Sequence, residues 1–182
     1  YQTWGTWWSV FWFLVYGNIY SFSNPLWHET GHKTAFQSKF LNEFFYYISS
    51  YMANFEPTRW RYTHFIHHGN TYSTENPFDH EIEYGNDLKE TPKRLIINLV
   101  PFLDLVFFKK HISFEIFQHA LGIKTKVMQD SIPENAQSKA ILISRVYVLI
   151  WLSIILWSIL VSSWMPLFYF VLPQFYGKTL HK

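Results

Sequence analysis

The chain has 182 residues, 49% of them hydrophobic and 21% aromatic, with a formal charge of +2 and no cysteine. That length holds one domain, and so small a charge, with no basic run, excludes a nucleic-acid-binding surface. Without cysteine there is no disulfide, no thiolate metal site, no iron–sulfur cluster and no fused rubredoxin.

Charged residues make up only 15%, against nine Trp and twelve Tyr. This is apolar and aromatic for a soluble domain and suits the interfacial belts of a membrane protein. Residues 4–20 are uncharged and strongly apolar. They lie near the lower limit of roughly 17–25 residues for a membrane span, with a buried core helix as the alternative. Ser23-Asn24-Pro25 reads as a helix start, Pro25 being suited to a first turn.

That helix carries His28-Glu29-Thr30-Gly31-His32. Residues i and i+4 lie about 40° apart around a helix, so His28 and His32 share a face. Residues 40–55 are apolar and aromatic but contain Asn42 and Glu43, and Asn54, Glu56 and Pro57 end them. A polar region, 59–94, opens with His64-Phe65-Ile66-His67-His68, whose imidazoles at i, i+3 and i+4 again share a face. Imidazole is the commonest neutral metal ligand near pH 7, so His28, His32, His64, His67 and His68 are five candidate ligands. If both clusters serve the same metals, they lie on one side of the membrane. Residues 40–55 are too few to cross it twice, so a re-entrant or interfacial segment is expected there.

Asn76-Pro77-Phe78-Asp79 reads as a turn. Residues 95–108 are apolar but hold Asn98, Pro101 and Asp104, as in an amphipathic helix lying on a membrane. Residues 111–139 are mixed, with Gly122 and Pro133 as breaks. Residues 146–163 carry no charge and form the clearest membrane helix; Trp164-Met165-Pro166 then reverses the chain and a return leg begins at Leu167. The positive-inside tendency puts Arg145, Lys178 and the polar histidine region in the cytoplasm. The expected fold is therefore all-α and integral to the membrane, with transmembrane helices under a cytoplasmic, helical, histidine-rich cap. Residues 1–182 are expected to be a single partial domain truncated at both ends, with a further span before Tyr1.

The first cluster matches H-E-x-x-H, in which Glu29 would be the general base of an intramembrane zinc metalloprotease. Such a site needs three protein ligands and an open position, which leaves the second cluster unexplained. A two-iron site that activates O2 against an unactivated C–H bond uses all five histidines. A non-catalytic metal-binding membrane protein is the third reading. Asp79, Glu81 and Glu29 are candidates to orient ligating imidazoles through their second nitrogens. His80 is expected to be solvated or to stand behind the ligands, His111 to be an interfacial polar residue, and His119 is a candidate to approach the site.

The first cluster, together with Arg61-Tyr62-Thr63-His64-Phe65-Ile66-His67-His68, resembles the first and second histidine boxes of the membrane-bound fatty acid desaturase superfamily. That superfamily also contains hydrocarbon and fatty-acid hydroxylases. Leu172-Pro173-Gln174-Phe175-Tyr176-Gly177 is similar to a segment that some bacterial members carry ahead of their last box. The resemblance implies two irons, with His28 and His32 as first-box ligands and His64, His67 and His68 as second-box ligands. It implies O2-dependent desaturation of fatty-acyl chains in lipid metabolism, with a fatty-acid or alkane hydroxylase on the same framework as the alternative. A fatty-acyl or other lipid substrate is implied, and so is a separate electron donor of the ferredoxin, rubredoxin or cytochrome b5 type. The family completes its site with a third box, H-x-x-H-H, which these residues lack, since His181 stands alone. That box is expected beyond Lys182, and residues 1–182 by themselves are expected to bind iron weakly and show no turnover.

Overall fold

The structure, a computed structural model, describes residues 6–81 and 112–175 together with Pro92 and Ile96. Among the described residues the regular structure is helical, with no strand. The chain forms two compact units, one of Tyr1–Ala53 with Ile154–Lys182 and the other of Asn54–Ser153. The amphipathic helix expected over residues 95–108 lies outside the described residues, apart from an exposed, helical Ile96.

In the first unit α1 (Trp7–Ser21) leads directly into α2 (Ser23–Gly31). Pro25 sits in the first turn of α2, where a missing N–H removes no helical hydrogen bond. The helix stops because Lys33 turns into the left-handed region at φ 63°. The Lys33 amide then donates to the Thr30 carbonyl and the Thr34 amide to that of Glu29, the paired bonds of a Schellman end. After this turn α3 (Lys39–Met52) packs back on α2. A Cβ on Gly31 would lie 3.1 Å from Cε2 of Tyr46, so the glycine is what admits that ring. Tyr46, only 1% exposed, stacks on Trp27 with centroids 6.4 Å apart.

The polarity of α3 is inverted. Asn42, Ser49 and Ser50 are buried, while Phe40, Leu41, Phe44 and Ile48 are exposed. A helix on the surface of a water-soluble protein shows the opposite pattern. Two of these buried polar groups, Asn42 and Ser49, are satisfied locally. Asn42 accepts from the Phe36 amide and donates to the Phe36 and Ser38 carbonyls, and Ser49 donates to the Phe45 carbonyl. At roughly 21 Å, these 14 residues are too short to cross a hydrocarbon core of about 30 Å.

Over the run read as a short span, residues 4–20, the helix α1 begins at Trp7, and its 15 residues reach roughly 22 Å against a hydrocarbon core of about 30 Å. The core-helix alternative is corrected: Trp7 is 88% exposed, Trp8, Phe11 and Trp12 are also exposed, and only Gly17, Tyr20 and Ser21 are buried. What α1 does hold is the return leg. There α8 (Met165–Phe170) is short because Pro173 cannot donate to the carbonyl of Tyr169, four residues earlier. The hydroxyls of Tyr16 and Tyr20 take that carbonyl at 2.8 and 3.1 Å. The expected reversal is present, with Ser162 at φ 48° and the rings of Trp157 and Phe170 6.0 Å apart.

The second unit holds α4 (Pro57–Gly69), α5 (Ile112–Ala120), α6 (Lys126–Ser131) and the first part of α7 (Glu134–Leu160), whose last turns belong to the first unit. Met128, Ile132 and Ala140 form its core, with Tyr62, Ala136 and Ile141 packed against them. The Tyr147 hydroxyl donates to the Phe55 carbonyl at 3.0 Å. Gly122 and Pro133 break the chain as expected. The helix expected from residue 146 begins earlier, at Glu134, because its polar first turns pack on this core while the same helical path continues into the apolar run. Its 27 residues span about 40 Å, and it is the one helix among the described residues long and apolar enough to cross a membrane.

The double acceptor at Tyr169 gives a stability prediction. Tyr16→Phe or Tyr20→Phe alone leaves one donor and is expected to lower stability by about 0.5–1.5 kcal/mol. The double variant strands the carbonyl and is expected to lose more than the sum of the singles. Thermal unfolding in detergent measures this; strict additivity would show that the two hydroxyls do not share one acceptor.

Candidate metal centre

In the first unit α2 sets His28 and His32 one turn apart, with ring centroids 4.6 Å from each other. Nδ1 of His28 lies 3.1 Å from Oε1 of Glu29, and Oε2 of Glu29 accepts from the Thr34 hydroxyl at 2.8 Å. These bonds, Thr34 first and then His28, hold the Glu29 carboxyl below its ordinary range. Glu29 is therefore a weakly basic clamp on His28. A general base working near neutrality needs the opposite shift.

In the second unit α4 begins where Glu56 caps it, accepting from the amides of Thr58 and Arg59 at 3.0 and 2.6 Å, with Pro57 in the first turn. His64, His67 and His68 occupy its last two turns. The chain then bends back, the Asp79 amide donating to the Ser73 carbonyl. This return brings two carboxylates onto the histidine helix. Nδ1 of His64 lies 2.9 Å from Glu81 Oε2, and Nδ1 of His67 lies 2.8 Å from Asp79 Oδ2. Asp79 is fully buried and also accepts from the amides of Tyr72 and Glu81. Burial pushes its carboxyl up, but the bonds from His67 and the two amides outweigh burial and hold it below the ordinary value.

A second layer fixes the carboxylates. Thr63 donates to Glu81 Oε1 at 3.1 Å and accepts from Arg59 at 3.4 Å. Buried Arg59 pairs with Glu115 at 3.3 Å, and Glu115 accepts from the Thr125 hydroxyl, whose oxygen also caps α6. With the Thr125 hydrogen committed to Glu115, His119 Nε2 is the donor in its 2.9 Å bond to Thr125. His119 is wholly buried, and burial lowers its pKa.

The donor set fits a metal. A carboxylate on Nδ1 fixes the tautomer and leaves Nε2 as the ligand atom. Nε2 of His64 and Nε2 of His68 are 3.0 Å apart. Two nitrogens each about 2.1 Å from one ion stand roughly 3–3.4 Å apart at right to tetrahedral angles. The pair is close enough for both nitrogens to bind one ion.

All five sequence candidates fall on helix faces as expected, His28 with His32 in one unit and His64 with His67 and His68 in the other. Glu29, Asp79 and Glu81 do orient imidazoles. His80 is not solvated: its side chain is 9% exposed and pairs with Asp130 at 3.1 Å, and burial lowers its pKa against that partner. His119 supports α4 through Thr125, Glu115 and Arg59. His111 lies outside the described residues. The sequence reading missed Thr34, Thr63, Arg59 and Glu115. Thr63 directly precedes His64, a signal that was there to find; the partnership of Arg59 with Glu115 leaves none.

Glu56 gives a pH prediction. Burial pushes its carboxyl up to about 7, against the pull of the Arg59 and Thr58 amides. Between its unfolded value of 4.5 and about 7 the folded chain holds a proton that the unfolded chain lacks. Stability from this group is thus full below 4.5 and is lost as pH rises through about 7. The loss is of the order of 3 kcal/mol. Glu56→Gln keeps an acceptor for the capping amides and removes this titration. Denaturant midpoints from about pH 5 to about pH 8 should therefore fall more steeply for the wild type than for the variant. Parallel curves would place the Glu56 proton elsewhere.

A family model described as fatty acid desaturase matches residues 3–181. Neither the curated proteins nor the solved structures searched include a match. The family match spans nearly the whole chain and takes in both histidine sets and the carboxylates that orient them. The chain belongs to the fatty acid desaturase family.

Proposed function

We propose that the protein is an integral-membrane di-iron oxidoreductase that desaturates fatty-acyl chains with O2. Its iron would be held by Nε2 of His28, His32, His64, His67 and His68. The observation that carries the reading is the carboxylate on Nδ1 of His28, His64 and His67. Iron, when bound, supplies the redox capacity to remove hydrogen from an unactivated C–H bond. Overall, two adjacent methylenes lose two hydrogens. O2 takes these hydrogens, together with two electrons and two protons, to give two waters. The electrons need a separate donor, of ferredoxin, rubredoxin or cytochrome b5 type.

The chain's own contribution is positioning. Glu81 and Asp79 hold His64 and His67 in one tautomer, and the bonds from Thr63 and from the Tyr72 amide keep those acids in place. Within the second unit α4 runs away from the apolar part of α7. Phe55, just before α4, is tied to Tyr147, whereas Tyr62 packs on the cluster containing Ala140. This supports a histidine helix on the wet side of the span, which we read as cytoplasmic, while a lipid substrate keeps its tail in the bilayer. Glu29, bound to His28 and Thr34, weighs against the metalloprotease alternative, and so does the family match.

In the full-length protein His67→Ala is expected to abolish product and lower bound iron, while His80→Ala does much less. Asp79→Asn should weaken metal binding roughly 10–100-fold with the ligands intact. Iron analysis and mass spectrometry of the acyl product measure these, and a hydroxylated product would assign the hydroxylase reaction instead. Full iron in the His67 variant, or a zinc-loaded protein that cleaves membrane peptides without O2, would overturn the proposal.

A further inference from the structure

The loop between α5 and α6, residues 121–126, is built more firmly than a connector needs to be. α5 ends in a Schellman arrangement: Gly122 has φ 81°, its amide donates to the His119 carbonyl, and the Ile123 amide donates to that of Gln118. On the far side Thr125 caps α6 and donates to Glu115. Between these two fixed ends Leu121 is 78% exposed and Ile123 49% exposed. Lys124 and Lys126 are exposed beside them.

The end of α5 is tied to α7 by the packing of Phe117 on Trp151, with centroids 5.3 Å apart, and by one bond. Arg145 Nε donates to the carbonyl of Ala120 at 3.0 Å. Arg145 is the last charged residue before the uncharged run of α7, which continues with exposed Val146, Leu149 and Leu152. The loop therefore stands at the boundary between the polar and apolar parts of that helix. Two aliphatic side chains held rigidly outward are unfavourable in water. At a bilayer margin they are favourable, and lysines beside them meet headgroup phosphates.

We propose that residues 121–126 form an interfacial anchor, with Leu121 and Ile123 in the acyl margin and Lys124 and Lys126 on the phosphates of anionic lipids. The inference rests on reading α7 as a membrane span. Its occupant is lipid rather than a protein partner because the loop is bonded to Arg145, where the exposed apolar run of α7 begins, and the charges beside the aliphatic pair, Lys124 and Lys126, are positive.

The absence of cysteine allows single-cysteine labelling. Leu121→Cys, Ile123→Cys, Leu152→Cys and Ser138→Cys, all at exposed positions, carry an environment-sensitive fluorophore in the whole chain reconstituted into phosphatidylcholine vesicles, with or without phosphatidylglycerol. Lipids brominated near the headgroup should quench the labels at 121 and 123, and lipids brominated near the chain end should quench the label at 152. Neither should quench the label at 138. Phosphatidylglycerol should deepen the quenching at 121, and Lys124→Glu with Lys126→Glu should abolish that increment. Deep quenching at 152 with none at 121 and 123 would overturn the anchor and leave the span standing. A blue-shifted but unquenched label at 121 would assign the loop to a protein partner and overturn the proposal. An increment that survives the double lysine variant would overturn the headgroup assignment. No quenching at 152 would remove the anchor together with the membrane reading beneath it.

Discussion

The carboxylate bound to one nitrogen of an imidazole decides what the other nitrogen can do. In the second unit most of the polar structure serves that bond. Asp79 and Glu81 lie beyond the end of α4, and the chain must bend through residues 70–79 to return them to His67 and His64. A buried carboxylate without partners would be expelled or protonated. Asp79 instead meets His67 and two backbone amides, and Glu81 meets His64 and Thr63. Arg59 enters the same network from below, neutralised by Glu115 and lying over the ring of Trp60. Removing any one member leaves a buried polar group unpaired, so the histidine face is held by the whole set and not by the helix alone.

The first unit solves a different problem with the same currency of hydrogen bonds. Its helices turn apolar side chains outward, so polar groups must be satisfied within. Ser49 and Thr30 donate back to carbonyls of their own helices, Asn42 closes the turn before α3, and the carbonyl freed by Pro173 finds two tyrosines. The exposed aromatic face of α3 and the exposed aliphatic face of α7 are the complement of an interior in which these polar groups are paired within the chain.

How much of this was legible depended on range. Imidazoles at i, i+3 and i+4 are a local property of helix geometry, so His28 with His32, and His64 with His67 and His68, could be placed on faces from sequence alone. Pro25, Gly122 and Pro133 were legible for the same reason. Asp79 and Glu81 were legible as chemistry but not as partners of particular rings, because that assignment depends on the path of a bend. Arg59 with Glu115, and Tyr16 with Tyr169, are separated by long stretches of chain, and no periodicity encodes them. The start of α1 within residues 4–20 was not legible, because composition marks an apolar run but not where a helix begins; α1 starts at Trp7. The early start of α7 was missed for the converse reason, since its first turns are apolar only on the face that packs against Met128 and Ile132, through Ala136, Ala140 and Ile141.

His28-Glu29-Thr30-Gly31-His32 shows where pattern matching stops and physical chemistry continues. The same letters can describe a protease, in which the glutamate activates water, or an oxygenase box, in which it does not. What separates them is the occupation of the carboxylate. The Schellman end of α2 places Thr34 above Glu29, and Thr34 with His28 takes one oxygen each. A carboxylate engaged on both oxygens and held acidic has little capacity to accept a proton from water, yet it is well suited to fixing an imidazole. Lys33 at φ 63° is therefore part of the chemistry, though it touches no histidine ring: its left-handed turn brings the threonine hydroxyl to the glutamate. The choice between two chemistries written with one motif is made a residue beyond the motif's end.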